Sequence, residues 1–140
     1  MDKEFAIGKS LEIVKNAKIA MLGTTDQKGY PNIKAMLNLH SEGLKDIWFS
    51  TNTSSKRVAD IMKNPKTCVY YMDEQSFMGL MLVGEIEVIQ DDFYREKLWF
   101  EGCERYYKKG IGDPDYTVLH FRAHHGNFYY RLKNLDFNID

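Results

Sequence analysis

Ile7, Leu11 and Val14 recur at helical spacing with polar residues between them, which predicts an amphipathic helix over residues 3–17. Ile19-Ala20-Met21-Leu22-Gly23-Thr24-Thr25 is then a nearly unbroken apolar run and reads as a buried strand. Asp26-Gln27-Lys28-Gly29 has turn chemistry, and a second extended run follows from Tyr30 to His40. Ser41-Glu42-Gly43 turns the chain again into Ile47-Trp48-Phe49-Ser50-Thr51. These segments predict a meander of three strands joined by short turns.

Val58, Ile61 and Met62 form the next helical stripe, with Thr53 or Ser54 as its cap and Asn64-Pro65 as its stop. Thr67 to Met72 predicts a fourth strand, and Met78 to Gln90 a longer fifth, bent or bulged at Gly79 and Gly84. Asp91-Asp92 can cap a third helix running to about Tyr107, broken by Gly110-Ile111-Gly112-Asp113-Pro114. Tyr116 to His125 and Asn127 to Tyr130 read as a last strand pair with Gly126 at the bend. Many strands, three peripheral helices and no βαβ alternation predict a mainly β chain, a small antiparallel barrel forming one domain over residues 1–140.

Composition narrows the functional classes. A chain of 140 residues suits one domain, and 44% hydrophobic with 14% aromatic residues excludes a disordered one. The net charge of −1 argues against a nucleic-acid binder, which carries a basic surplus. Residues 1–70 hold 11 basic and 7 acidic groups, whereas residues 71–140 hold 8 and 13, so an anion site is expected in the first half. Cys68 and Cys103 are too few for a zinc framework or a disulfide scaffold, and no metal site is expected. Met1-Asp2-Lys3-Glu4 lacks an apolar leader, and Leu80-Met81-Leu82-Val83 is too short to span a bilayer. The expectation is a cytoplasmic protein with no membrane partner.

The segment richest in chemistry is Ser50-Thr51-Asn52-Thr53-Ser54-Ser55-Lys56-Arg57, where a strand ends and a helix starts. Free backbone N–H groups at a helix N-terminus attract anions, and the hydroxyls add donors. Lys56 and Arg57 stand in the first helical turn, where the helix dipole favours acids; a bound phosphate would resolve that mismatch. The plainer reading is a solvated basic turn beside an ordinary cap. On the preceding strand, alternation sends Lys34, Met36 and Asn38 to one face and Ile33, Ala35 and Leu37 to the other. Lys34 could offer one charge to a ligand, or stand exposed on a half-wet strand.

The order of these features resembles the pyridoxamine 5′-phosphate oxidase-like FMN-binding split-barrel family, in particular its short bacterial members of general-stress-protein type. The resemblance rests on the N-terminal helix, Ile19 to Thr25, Gly29-Tyr30-Pro31, Lys34-Ala35-Met36, Ile47 to Asn52, Ser55-Lys56-Arg57, Asn64-Pro65-Lys66 and Val83 to Glu87, in that order. It implies a six-stranded split barrel with Greek-key closure, dimeric through the barrel, with FMN at the dimer interface. It implies further that Ser55, Lys56 and Arg57 hold the phosphate and that Ser50, Thr51 and Asn52 contact the ribityl-phosphate region. Lys34, Ala35, Met36 and Leu37 match the strand flanking the isoalloxazine ring. The family's cofactor-facing Gln is replaced near Gly79, and Arg122-Ala123-His124 precedes the aromatic run Phe128-Tyr129-Tyr130 instead of following it. Pyridoxamine phosphate oxidation is therefore not the expected reaction.

Of four histidines, His124 and His125 are adjacent and face opposite ways on a strand, which disfavours one shared metal; an axial haem ligand is the alternative use of a histidine. Trp99, Phe100, Tyr106 and Tyr107 could pack as core or interface, or cover the flavin of a partner chain. Cys68 reads as a small hydrophobe, and Glu85 and Glu87 as solvent-facing. No nucleophile–base pair is visible, so catalytic residues stay unassigned. The leading reading is a flavin-dependent oxidoreductase of unknown substrate. A non-catalytic flavin-binding or redox-sensing protein and a haem-binding relative remain open, and a nucleic-acid binder is the weakest reading.

Overall fold

Asp2 caps the first helix by accepting a hydrogen bond from the Phe5 amide at 2.8 Å, and α1 runs over Lys3–Asn16 in the computed structural model, which describes all 140 residues. Its inward stripe is Ala6, Ser10, Ile13 and Val14. The helix ends on Asn38, whose side-chain amide donates to the carbonyls of Val14 and Ala17 at 2.7 and 2.8 Å. Those bonds satisfy helix-end carbonyls that would otherwise be orphaned.

The same residue ends a strand. β1 (Ile19–Thr25) and β2 (Pro31–Leu37) form a hairpin in the register Ile19↔Leu37 to Thr25↔Pro31. The extended run expected from Tyr30 to His40 is therefore two strands: β2 ends at Leu37, and Asn38, its amide still donating to the Lys18 carbonyl at 3.0 Å, gives its side chain to the end of α1. β3 (His40–Glu42) pairs with β4 (Asp46–Asn52), so Ser41 and Glu42 are strand and the turn starts at Gly43. After α2 (Lys56–Lys63) come β5 (Lys66–Asp73), β6 (Met78–Ile89) and α3 (Asp92–Leu98), then β7 (Tyr116–Tyr130) and β8 (Lys133–Asn138).

The strands pair antiparallel in the order β2-β1-β5-β6-β7-β4-β3, with β8 on the far part of β7. The first strands are thus not a meander: β4 pairs with β7 over Asp46↔Arg122 to Asn52↔Tyr116. The sheet curls until β2 and β4 lie side by side without a ladder between them. This gap is the split of a mainly β, antiparallel split barrel with peripheral helices. It has eight strands, not the expected six.

Two further differences have local causes. β7 runs straight through Gly126, where a Cβ would come within 2.5 Å of the Phe137 ring on β8. β8 itself follows a turn at Arg131 and Leu132 with φ of 50° and 63°, a left-handed conformation that neither residue signals. At Gly84, by contrast, the ladder is bulged as its sequence position suggests, with the extra residue, His124, on β7. The β6–β7 register shifts between Val83 and Gly84, and a Cβ at Gly84 would stand 1.9 Å from the Arg122 carbonyl oxygen. Gly79 sits within straight pairing, under the Tyr70 hydroxyl.

Inward-facing Leu22, Phe49, Val69, Leu80, Leu82 and Phe121 fill the barrel. The outward face of β2-β1-β5 is also apolar, which is why β1 reads as an unbroken apolar run. Ile19, Met21, Ile33, Leu37, Tyr70 and Met72 all stand exposed there, Ile33 at 72%, and the registers place Met21 directly between Ala35 and Tyr70. No helix is long and apolar enough to cross a membrane.

Candidate functional site

The cap of α2 is Ser55, whose hydroxyl accepts from the Val58 amide at 3.3 Å; Thr53 and Ser54 are engaged elsewhere. The Thr53 hydroxyl donates to the Pro114 carbonyl at 3.0 Å, and the Ser54 amide to the Asp115 carboxylate at 2.8 Å. The hydroxyl-rich turn is thereby fastened to the segment entering β7. No acid occupies the first turn of α2.

The two cations of that turn part company. Lys56 reaches the buried Asp60 carboxylate at 2.9 Å and lies 3.9 Å from Asp26, on the side of the β1–β2 turn. Arg57 points to the other side, where its Nη2 donates to the Thr51 hydroxyl at 2.7 Å. Its Nε is buried without a partner, and no carboxylate lies within ion-pair distance of it. Desolvation accordingly pushes the Arg57 pKa down, the expected response of a cation without a counterion.

Arg57 lines a cleft of about 250 Å³ at the split of the barrel. β2 contributes Ala35, Met36 and Leu37, and β4 contributes Ser50, Thr51 and Asn52. Seven of the ten residues singled out from sequence therefore meet in one place. Lys34, Ser55 and Lys56 lie outside this lining: Lys34 is exposed on β2, Ser55 is used as the cap, and Lys56 is held by Asp60.

The third wall was not assigned from sequence to this site. α3 stops at Leu98, well short of Tyr107, because Trp99 is extended and Gly102 takes φ 91°. The chain then makes short 3₁₀ turns at Cys103–Arg105 and Gly110–Gly112, and this excursion brings Phe100, Tyr106 and Tyr107 to the cleft of their own chain. Trp99, Cys103, Tyr107 and Tyr116 pack as a small separate core beneath it. Arg95 pins the excursion, donating to the carbonyls of Ile111 and Asp113 at 2.9 Å each. Burial, reinforced by Cys103 and Asp115 and opposed by Arg57, pushes the Tyr107 hydroxyl up to about 12. The aromatic run after residue 91 pointed to this wall; the break at Gly102 gives it its position.

Other chemistry-bearing groups lie elsewhere. His120 stacks on Trp48 with ring centroids 4.5 Å apart and holds Asp46 at 2.8 Å. His125 holds Asp136 at 3.1 Å, and Arg122 holds Glu87 at 2.8 Å; none of these lines the cleft. Burial pushes both thiols up, which makes Cys68 and Cys103 poor nucleophiles at neutral pH. A larger groove of about 680 Å³ between α1 and the β5–β6 turn mixes Lys9, Lys18, Glu12 and Asp73 in its walls, without one convergent charge.

Comparison with known proteins agrees with this architecture. The family model described as "Pyridoxamine 5'-phosphate oxidase like" matches residues 6–136. A crystal structure from Clostridium acetobutylicum, described as a protein related to general stress protein 26 of B. subtilis (pyridoxinephosphate oxidase family), is 51% identical. It superposes with a TM-score of 0.88, covering 99% of this chain and 97% of that one. General Stress Protein 26 from Bacillus anthracis str. Sterne superposes at 0.78 with 19% identity, covering 95% and 98%. A heme binding protein from Mycobacterium smegmatis superposes at 0.77 with 13% identity, covering 95% of this chain and 57% of its own; at that identity the likeness is one of fold. No curated protein sequence matches the chain.

Proposed function

Because the chain belongs to the pyridoxamine 5′-phosphate oxidase-like family, we propose that it binds FMN at the cleft between β2 and β4, as a homodimer, and acts as a flavin-dependent oxidoreductase. The observation that carries this reading is Arg57: a desolvated guanidinium with a buried, unpartnered Nε and no acid nearby, facing a cleft. A phosphate dianion supplies the missing counter-charge, and Arg is suited to bind it through several donors of its planar fork.

Each wall then has a task. Thr51 fixes the Arg57 fork from below through the 2.7 Å hydrogen bond. Ser50 and Asn52 stand beside it at the end of β4 and would contact the ribityl chain, while Ala35, Met36 and Leu37 on the free edge of β2 would offer backbone groups to the ring. Lys56 adds positive potential at longer range while Asp60 holds it, and Ser55 acts by ordering the N-terminus of α2. FMN, when bound, supplies the two-electron redox chemistry; the protein supplies anchoring, electrostatics and access.

The exposed apolar face of β2-β1-β5 supports the dimer. Side chains such as Ile33 and Met21 form a contiguous surface that a second copy would bury, adjoining the cleft at Ala35 and Leu37. Two free thiols and no disulfide accord with a cytoplasmic setting.

The test is the visible spectrum of the purified protein, recorded before and after adding FMN and, separately, haemin. A two-band flavin spectrum that persists through desalting supports the cofactor, and steady-state oxidation of NADH or NADPH then tests the enzyme against the carrier. A Soret band with no flavin uptake would overturn the reading in favour of haem.

A further inference from the structure

Tyr107 is buried at the cleft, yet its hydroxyl has no hydrogen-bond partner within the chain. Its ring is wedged against Tyr116 at 4.9 Å and Trp99 at 6.3 Å between centroids, and the residue is only 7% exposed. The neighbouring Tyr116 hydroxyl donates to the Arg95 carbonyl at 2.6 Å, and the Tyr71 hydroxyl donates to Asn38 at 3.3 Å. The Tyr107 hydroxyl makes no such bond within the chain, and it is not among the polar atoms sealed off without a partner. The ring is thus buried and held while the oxygen stays open at the cleft, a fixed donor that a ligand there can take up in place of water.

Arg57 lines the same cleft, and its charge is felt at the Tyr107 hydroxyl. We propose that Tyr107 and Arg57 together clamp one oxyanion of the ligand, the phosphate monoester, from two sides, and that this clamp makes the site select phosphorylated over unphosphorylated flavin. The inference rests on the FMN reading above and adds a residue from outside the motif that carries the family resemblance. Arg57 brings charge from α2; Tyr107 brings a neutral donor from the excursion after α3. A tetrahedral phosphate accepts from both directions at once. The hydroxyl keeps its proton, and so remains a donor, throughout the working range of pH. The bond it gives is charge-assisted.

The variant Tyr107→Phe removes the hydroxyl and keeps the ring in its packing against Tyr116 and Trp99. Wild type and variant are titrated with FMN and with riboflavin, following flavin fluorescence, with thermal unfolding of the apo-proteins alongside. The expected result is an FMN Kd raised about ten-fold, a riboflavin Kd unchanged within about two-fold, and equal apo melting midpoints. An unchanged FMN Kd overturns the clamp, as does an equal loss for both flavins, which would make Tyr107 a wall residue only. A lowered apo melting midpoint accompanied by parallel losses would likewise overturn it. Wild type that binds no FMN overturns the cofactor reading itself, and so the two failures are told apart.

Discussion

Replacing Arg57 by Met keeps most of the apolar stem and removes the guanidinium. In the folded chain that guanidinium makes one side-chain bond, to Thr51 at 2.7 Å, and holds a buried Nε with no partner. On a phosphate, two of its N–H groups would give charge-assisted bonds of about 1.5 kcal/mol or more each, so their loss costs about 3 kcal/mol and raises the FMN Kd about 100-fold. Stability should behave differently. The substitution relieves a desolvated cation and leaves the buried Thr51 hydroxyl without its donor; each effect is about 1 kcal/mol and they oppose. The apo melting midpoint should therefore stay within about 3 °C of wild type. Lys56→Met is the control. Lys56 is 66% exposed and already paired, so its loss should weaken FMN less than ten-fold, about 1 kcal/mol, while lowering stability because Asp60, at 3% exposure, loses its partner. Flavin titration and thermal unfolding of the three apo-proteins decide the matter. An unchanged FMN Kd in Arg57→Met, or a greater loss in Lys56→Met, would remove Arg57 from the phosphate site.

Three other expectations follow from single observations. Gly84→Ala forces a Cβ to 1.9 Å from the Arg122 carbonyl oxygen, a backbone atom held in the β6–β7 bulge; a loss above about 3 kcal/mol in denaturant unfolding is expected, and one below about 1 would contradict it. The Asp26 carboxylate accepts from the Tyr30 and Lys28 amides at 2.9 Å each and from Asn32 at 3.2 Å, and these bonds, the one from Tyr30 foremost, hold its pKa below the ordinary value. A lowered carboxyl pKa stabilises the fold above about pH 4, and that contribution is lost as pH falls through the lowered value. Asp26→Asn should thus melt below wild type at pH 7 and converge with it in acid; a constant gap across pH would sink the assignment. Ile33→Asp, at a position 72% exposed on the apolar sheet face, should convert a dimer into a monomer by light scattering without unfolding it, whereas an unchanged mass would move the interface elsewhere.

The elements legible in the sequence were those whose periodicity and punctuation agree. α1, β1, α2 and β6 follow from apolar spacing, and the Gly84 bulge from a glycine inside a strand pattern. β8 was hidden because Arg131 and Leu132 adopt a left-handed turn with none of the glycine or asparagine that marks one. The end of α3 was misplaced because aromatic residues past Leu98 continue a helix-like pattern while Gly102 breaks the backbone. For the site, the Ser50–Arg57 segment was readable as strand end, cap and cations, since an anion at a helix start has a local signature. Which cation faces the cleft was not readable. That depends on Asp60, four residues on in the same helix, capturing Lys56. Tyr107 could be named as part of an aromatic cluster, but only the folded excursion shows its oxygen open beside Arg57.

A phosphate-anchored flavin at the split of the barrel stands or falls on a paired titration of the wild-type apo-protein with FMN and riboflavin. Quenching should saturate at one FMN per chain, with riboflavin bound at least about 100-fold more weakly, the ratio that about 3 kcal/mol at Arg57 supplies. Equal affinities for the two flavins, or no quenching by FMN, would contradict it.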